Sequence, residues 1–456
     1  MLTLLRIIAW LLLLAIVAAL ALIFVPARHT GPQPVEMAAA GATGDPDAAA
    51  LYAARVADCA GCHTADDGEP FAGGRPIPSP FGAIYSPNIT PDPETGIGGI
   101  TLDQFRAALY DGIGRDGRNL YPAMPYDSYR ELSEADVEDL YHYFTKVLAP
   151  VRNEPRETDL PFPLDQRWGI RAWKLVGLPE AGFEPRFDDP VLDRGAYLVE
   201  GPGHCGACHS PRNLVYAQAG FTSEDPDFLT GGEIGGWTAP DLRSDQSAIA
   251  RWSDADLKLF LASGRNAHAG VRGEMKLAIE HSLQYFSDDD LSAVVAYLRA
   301  IGPAGAGSGA GAAEAPPVGQ PIPRVDRLAD ESATETERLL SAAEPGMPLG
   351  ARLYLDNCAA CHFVDGKGAD QIFPALDGNS LVTAPKVTGL VSTILAGAAL
   401  PSTGERPAAV RMPGFADRLS DAEVAELATF VRGAWHNDAP AVKEEDVRGL
   451  RDAGAD

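Results

Sequence analysis

Three short stretches constrain this chain more than any other feature: "DCAGCHTA", "GHCGACHS" and "NCAACHFV". Each places two cysteines two residues apart with a histidine directly after the second. They are Cys59, Cys62 and His63, then Cys205, Cys208 and His209, then Cys358, Cys361 and His362. Together they use all 6 cysteines of a 456-residue chain. That length accommodates about three domains at roughly 100–200 residues each.

Three chemistries use a close cysteine pair. Structural zinc needs four ligands, usually from a second pair at finger-like spacing. Here each pair has one adjacent histidine, and the next cysteines lie more than a hundred residues away. A redox dithiol expects a βαβ context, which the sequence lacks. The third chemistry is covalent haem attachment, whose signature is Cys-x-x-Cys-His. The thiols add to the two haem vinyl groups, and the neighbouring imidazole becomes the proximal iron ligand. With 9 histidines in 456 residues, a chance histidine after all three pairs is remote. The pattern predicts three covalently bound haem c groups.

Haem iron has a second axial position, and methionine sulfur fills it in electron-carrying cytochromes. Of the 6 methionines, Met1 lies in the N-terminal apolar segment, Met37 in the stretch after it and Met347 in the run-up to the third repeat. Met124, Met275 and Met412 follow His63, His209 and His362 by 61, 66 and 50 residues. A lone methionine is ordinarily core filler. One at the same place in each repeat predicts three distal ligands. His142, His204, His268 and His281 have no counterparts across the repeats and read as surface or propionate-side residues. Carbonyls at or near Pro87, Pro240 and Pro374 are candidate acceptors for the proximal imidazoles. Arg115, Arg265 and Arg411 are candidate partners for haem propionates.

The motifs sit in repeated blocks. Each block ends in a helix opened by a serine, namely Ser133, Ser287 and Ser420, with Asp136, Asp290 and Glu423 three residues on. This is a capping-box pattern. Apolar residues at helical spacing follow: Val137, Leu140 and Phe144 in the first block, Leu291, Val294 and Leu298 in the second, Val424, Leu427 and Val431 in the third. A middle helix recurs at 101–112, 253–264 and 386–397, each ending on glycine. Long alternating strand patterns are absent, so the chain reads as mostly α.

Ile7 to Val25 is a run of 19 apolar residues. It is longer than the apolar core of a cleavable signal, about 7–15 residues, and close to the ~20 that span a bilayer. The expected layout is a transmembrane anchor at 1–30, a tether at 31–48, and blocks at 49–176 and 177–301. A flexible Ala/Gly linker at 302–345, a third block at 346–437 and a polar tail at 438–456 follow. Covalent haem is attached outside the bacterial cytoplasm, so the haem blocks are expected to face the periplasm from a single-pass inner-membrane anchor. A net charge of −26 excludes nucleic acid as a partner.

Longer stretches carry a family resemblance. "GEPFAGGRPIPSPFGAIYSPNITPDPETGIGG", "DGRNLYPAMPY", "GAYLVEGPGHCGACHSPRN", "SGRNAHAG" and "NCAACHFVDGKGADQIFPALDGN" resemble the tri-haem cytochrome c subunit of bacterial membrane-bound alcohol, aldehyde and gluconate dehydrogenases. The resemblance covers most of residues 49–437. It implies three tandem class I-type cytochrome c domains, with His63, His209 and His362 proximal and Met124, Met275 and Met412 distal. It also implies an electron-transfer subunit that is not itself an enzyme, working beside a dehydrogenase catalytic subunit with quinone or a terminal oxidase as acceptor. The alternatives are a multihaem peroxidase or reductase, which needs an open iron position, and a cytochrome subunit of a terminal oxidase.

Overall fold

The computed structural model describes residues 2–24, 44–245, 247–302 and 333–453. Those residues fall into two compact units, Met1–Leu229 and Thr230–Asp456. The boundary lies inside the second expected block, so 177–229 belong to one unit and 230–301 to the other.

The architecture is mostly helical, with three two-stranded hairpins: Pro76–Ser79 with Gly82–Tyr85, Gly232–Ile234 with Trp237–Ala239, and Ala398–Ala399 with Arg411–Met412. In the first unit, Pro46–Val56 packs against Glu134–His142. Ala50, Ala53 and Ala54 are buried at this contact, and their small side chains let the helices approach. Leu102–Asp111 adds Phe105 and Leu109 to the same core, beside Leu140 and Phe144. Its N-cap is Thr101 in a reciprocal capping box with Gln104, and Gly112 closes it in the left-handed region at φ 56°.

The second unit repeats the plan at its C-terminal end. Leu349–Asn357 packs against Asp421–Gly433. A Cβ at Gly350 would lie 2.4 Å from the Glu426 carbonyl oxygen, so this crossing requires glycine. Tyr354, Leu390, Ile394, Leu427 and Val431 form the core. Asp254–Ser263 and Asp288–Ile301 precede it in the chain and pack on each other.

The expected helix starts are all present. Ser133, Ser287 and Ser420 accept from the backbone N–H of Asp136, Asp290 and Glu423. Full reciprocity holds for Ser420 and Glu423. In the first unit, the Tyr197 hydroxyl takes over part of that role: it accepts from the Ser133 N–H at 3.0 Å and donates to the Asp136 carboxylate. Aspartate is one methylene shorter than glutamate, and the phenol fills the gap.

Two expectations for the connecting segments give way. Glu335–Ala342, inside the expected linker, is a helix started by a Thr334/Glu337 capping box, with Leu340 buried. Residues 303–332 of that linker lie outside the described residues. The polar tail contains a helix, Glu444–Ala453. It is held by buried Val442 and Val447 and by Arg451, which pairs with Asp421 at 2.7 Å. Two apolar anchors in a charged segment suffice to dock it.

The N-terminal apolar run is helical over Leu2–Phe24, and Leu4, Trp10, Leu11 and Leu14 on it are exposed. Among the described residues no helix is long and apolar enough to cross a membrane. Side chains of this helix are described only as far as Ala18, and the end of the expected anchor, 25–30, lies outside the described residues.

Candidate haem sites

Each cysteine motif forms a short helical turn: Cys59–His63, Gly206–His209 and Ala359–His362. The turn follows within two residues of a preceding helix at the first and third motifs, and after the five residues 201–205 at the second, so the motif takes its position from that helix. As free thiols Cys205 and Cys358 are pushed up to about 12 by burial, with the companion cysteine as a lesser cause. Burial raises Cys59 as well. Reactive dithiols have the opposite shift, toward the thiolate. Among the described residues no three His, Cys, Asp or Glu side chains gather as a metal-holding group, which leaves the zinc reading without its ligands.

The imidazoles are oriented as expected in two sites. His63 Nδ1 lies 2.8 Å from the Pro87 carbonyl oxygen, and His362 Nδ1 lies 2.9 Å from that of Pro374. A carbonyl only accepts, so Nδ1 carries the proton and Nε2 keeps its lone pair. Burial lowers the pKa of both rings, with the carbonyl contact opposing it. A neutral imidazole offering Nε2 is the form that binds iron.

A device not evident from the cysteine motifs supports each carbonyl. Gly73, at φ 75°, sits so that a Cβ would lie 2.4 Å from the Pro87 carbonyl carbon, and its N–H donates to the His63 carbonyl at 2.8 Å. Gly368, at φ 63°, would place a Cβ 2.1 Å from the Phe373 carbonyl oxygen, and its N–H donates to the His362 carbonyl at 3.3 Å. Only glycine permits both the backbone angle and the approach.

In the first unit Cys59, Cys62, His63 and Met124 line one cavity of about 1600 Å³. It exceeds the roughly 300–1,000 Å³ of ordinary small-ligand pockets. Ile77, Ile97, Phe105, Leu109 and Phe144 supply apolar wall, and Arg115, Arg130, Arg167, Arg171 and Lys174 also line it. An apolar cleft with cationic groups on its wall matches a flat apolar ring with two carboxylate tails, so the residues present fit haem.

The remaining expected residues divide. Met412 lies in the hairpin strand opposite Ala398 and packs on the core of the third block. His209 belongs to the first unit and Met275 to the second, on Glu274–His281. Arg115 lines the first cavity and donates to the Gly96 carbonyl at 3.2 Å. Arg411 is exposed. His142 is paired with Asp47 at the surface at 2.7 Å. His268 stacks on Trp252 with centroids 5.2 Å apart. His204 lines the first cavity, edge-on to Tyr129 at 5.8 Å, and burial lowers its pKa to about 4.

Sequence reasoning missed the helix Ile170–Gly177 as a cavity wall. Lys174 on it donates to the Gly112 carbonyl at 2.9 Å and to Asn119 Oδ1 at 2.8 Å. Burial lowers its pKa to about 8. The available signal was a basic stripe, Arg167, Arg171 and Lys174, at helical spacing.

Comparison with known proteins agrees with this chemistry. The cytochrome c family pattern matches residues 47–147 and 348–435. The cytochrome c subunit of a quinone-dependent alcohol dehydrogenase from Gluconobacter oxydans is 41% identical over 410 residues, covering 89% of this chain and 82% of that protein. The cytochrome c subunit of gluconate 2-dehydrogenase from Pantoea cypripedii is 40% identical, covering 88% of each. The cytochrome subunit of fructose dehydrogenase from Gluconobacter japonicus is 39% identical, covering 88% of this chain and 82% of that protein. The chain belongs to the family of cytochrome c subunits of alcohol, gluconate and fructose dehydrogenases, whose role is electron transfer rather than substrate catalysis.

Proposed function

We propose that this chain is a membrane-anchored tri-haem electron carrier. It takes electrons from a dehydrogenase catalytic subunit at the periplasmic face of the bacterial inner membrane and delivers them to quinone or a terminal oxidase. The observation that carries the reading is the pair of neutral imidazoles, His63 and His362, each donating Nδ1–H to a proline carbonyl. Both directly follow a cysteine pair, and His209 stands in the same Cys-x-x-Cys-His pattern.

Bound haem supplies reversible one-electron chemistry. The chain's own residues hold and tune it. Cys59, Cys62, Cys205, Cys208, Cys358 and Cys361 attach the three groups. His63, His209 and His362 ligate from one side, and Met124, Met275 and Met412 from the other. The haem blocks are 49–176, 177–301 and 346–437. Apolar walls exclude water, which favours the less charged reduced state, and methionine sulfur works in the same direction.

Anchoring is supported by the 19-residue apolar run and by the exposed Leu4, Trp10, Leu11 and Leu14 on its helix. Exposed apolar surface of that extent marks contact with lipid or another protein. Resistance of the full chain to alkaline extraction from membranes checks this part. The carrier role is checked by mixing the reduced protein with carbon monoxide. Three capped irons bind it slowly or not at all. Rapid binding at one centre identifies an open iron and a catalytic haem.

A further inference from the structure

Arg265, Arg272 and Arg406 of the second unit have no carboxylate partner among the described residues, and the first two each bury a guanidinium nitrogen that no hydrogen bond satisfies. A buried cation with neither an anion nor a full set of hydrogen bonds is strongly unfavourable. Arg265 is 6% exposed and its Nε has no hydrogen-bond partner. Arg272 Nη1 is likewise buried without a hydrogen-bond partner among the described residues. Burial brings Arg272 down to about 10, so it remains charged at neutral pH. Arg265 is lowered by burial and by the nearby charge of Arg406.

One loop carries two of these cations. Val271 N–H donates to the Gly264 carbonyl at 2.8 Å, Asn266 N–H donates to Ala269 at 3.0 Å, and Arg265 bridges Gly270. The loop belongs to the second expected block, yet it packs on the third. A Cβ at Gly270 would come 2.5 Å from Leu400 and 3.0 Å from the ring of Pro374, the residue whose carbonyl orients His362. Gln371 N–H donates to the Asn266 carbonyl at 3.3 Å. Arg406 donates to Gln371, on the same third-block loop. Arg272 follows Gly270 by two residues, so it sits on the loop that packs against Pro374 beside His362.

We propose that Arg272, with Arg265 and Arg406, forms a cationic cage for the propionate carboxylates of the third haem, so that the second block completes the third block's cofactor site. The inference rests on His362 being a haem ligand. It goes further by assigning three positioning residues, two of them from outside the third block. Two carboxylates supply the missing anions, and guanidinium groups suit carboxylates through paired N–H donors. The cage also raises the electron affinity of the third iron, because nearby positive charge favours the reduced state.

The test is Arg272→Leu in the full chain, with Arg272→Lys beside it. The third haem is identified as the centre lost when Cys358 and Cys361 are both replaced by alanine. With all three haems retained, Arg272→Leu lowers the potential of that centre. The expected size is about a tenfold shift of its oxidation equilibrium, ~59 mV for one electron, and Arg272→Lys restores most of it. An unmoved potential at the third centre overturns the proposal. A shift confined to the second centre overturns the assignment to the third haem. Loss of no haem from the double cysteine variant instead overturns the attachment at Cys358 and Cys361. Thermal unfolding of Arg272→Leu at the temperature of the parent shows that the shift is not a folding defect.

Discussion

His362 Nδ1 and the carbonyl oxygen of Pro374 lie 2.9 Å apart, across a loop of 11 intervening residues that turns back under the ring. The same relation joins His63 and Pro87 at 2.8 Å across a loop twice as long. The two loops share little in length but agree in what they deliver. Each presents a carbonyl to Nδ1 and a glycine below it, so the imidazole is fixed in orientation and tautomer before any metal arrives.

Gly368→Ala therefore strikes the third site without touching a ligand. The new Cβ collides with the Phe373 carbonyl at a backbone angle that disfavours alanine. The expected cost is more than about 1 kcal/mol of stability. The absorption spectrum of one haem in three is disturbed while the other two are unchanged. Thermal unfolding and the visible spectrum read both effects, and an unaltered spectrum contradicts the role given to this loop.

Met124→His and Met412→His each exchange sulfur for imidazole. Methionine ligation raises the potential relative to histidine. Each substitution is expected to lower one centre by more than ~59 mV, the tenfold mark for one electron. A redox titration followed in the visible spectrum shows whether one centre moves in each variant and whether the two variants move different centres.

Tyr197→Phe removes the hydroxyl that joins Ser133 and Asp136 in the first unit. The Ser133 N–H is left buried without an acceptor, Asp136 Oδ2 keeps only the Ser133 hydroxyl as donor, and Asp136 Oδ1 already has no partner. The expected loss is about 1–3 kcal/mol, read as a lower midpoint in denaturant with all haems attached. An unchanged midpoint shows that the phenol only fills space.

Glu131 governs part of the pH response. Burial, reinforced by Glu200 and opposed by Arg186, raises its pKa to about 8. The folded protein thus holds a proton that the unfolded chain releases near its ordinary value of 4.5. Above that value the unfolded state binds fewer protons, so stability falls as pH rises and levels off past about 8. The local slope is at most ~1.4 kcal/mol per pH unit. Glu131→Gln is expected to flatten this fall between the two values. Denaturation midpoints at a series of pH values measure it, and a slope that survives the substitution places its origin elsewhere.

The helices and the cytochrome c character of the chain were legible in the sequence because their signals are local. Ser420 and Glu423 are three residues apart, and the capping box they predict is present. Cys358, Cys361 and His362 declare their chemistry in five residues. What escaped was made by chain segments far apart in sequence. Asp136 has the same spacing to Ser133 as Glu423 has to Ser420, but its shorter side chain draws in Tyr197, 61 residues away. Arg265 stood out in the sequence as a candidate propionate partner from its place before the methionine region. Arg272 and Arg406 were not, because an arginine's isolation from carboxylates exists only after folding. Val447 looked like part of a solvated tail and is fully buried, since one apolar residue per helical turn is enough when a ready groove meets it.

The measurement that bears most directly on the account is the number of haems per chain, taken from the intact mass of the exported protein and from its haem absorbance. The account predicts three, and two for each variant in which one cysteine pair is changed to alanine: Cys59 with Cys62, Cys205 with Cys208, or Cys358 with Cys361. A correctly exported chain with fewer than three, or a pair whose loss leaves the number unchanged, contradicts it.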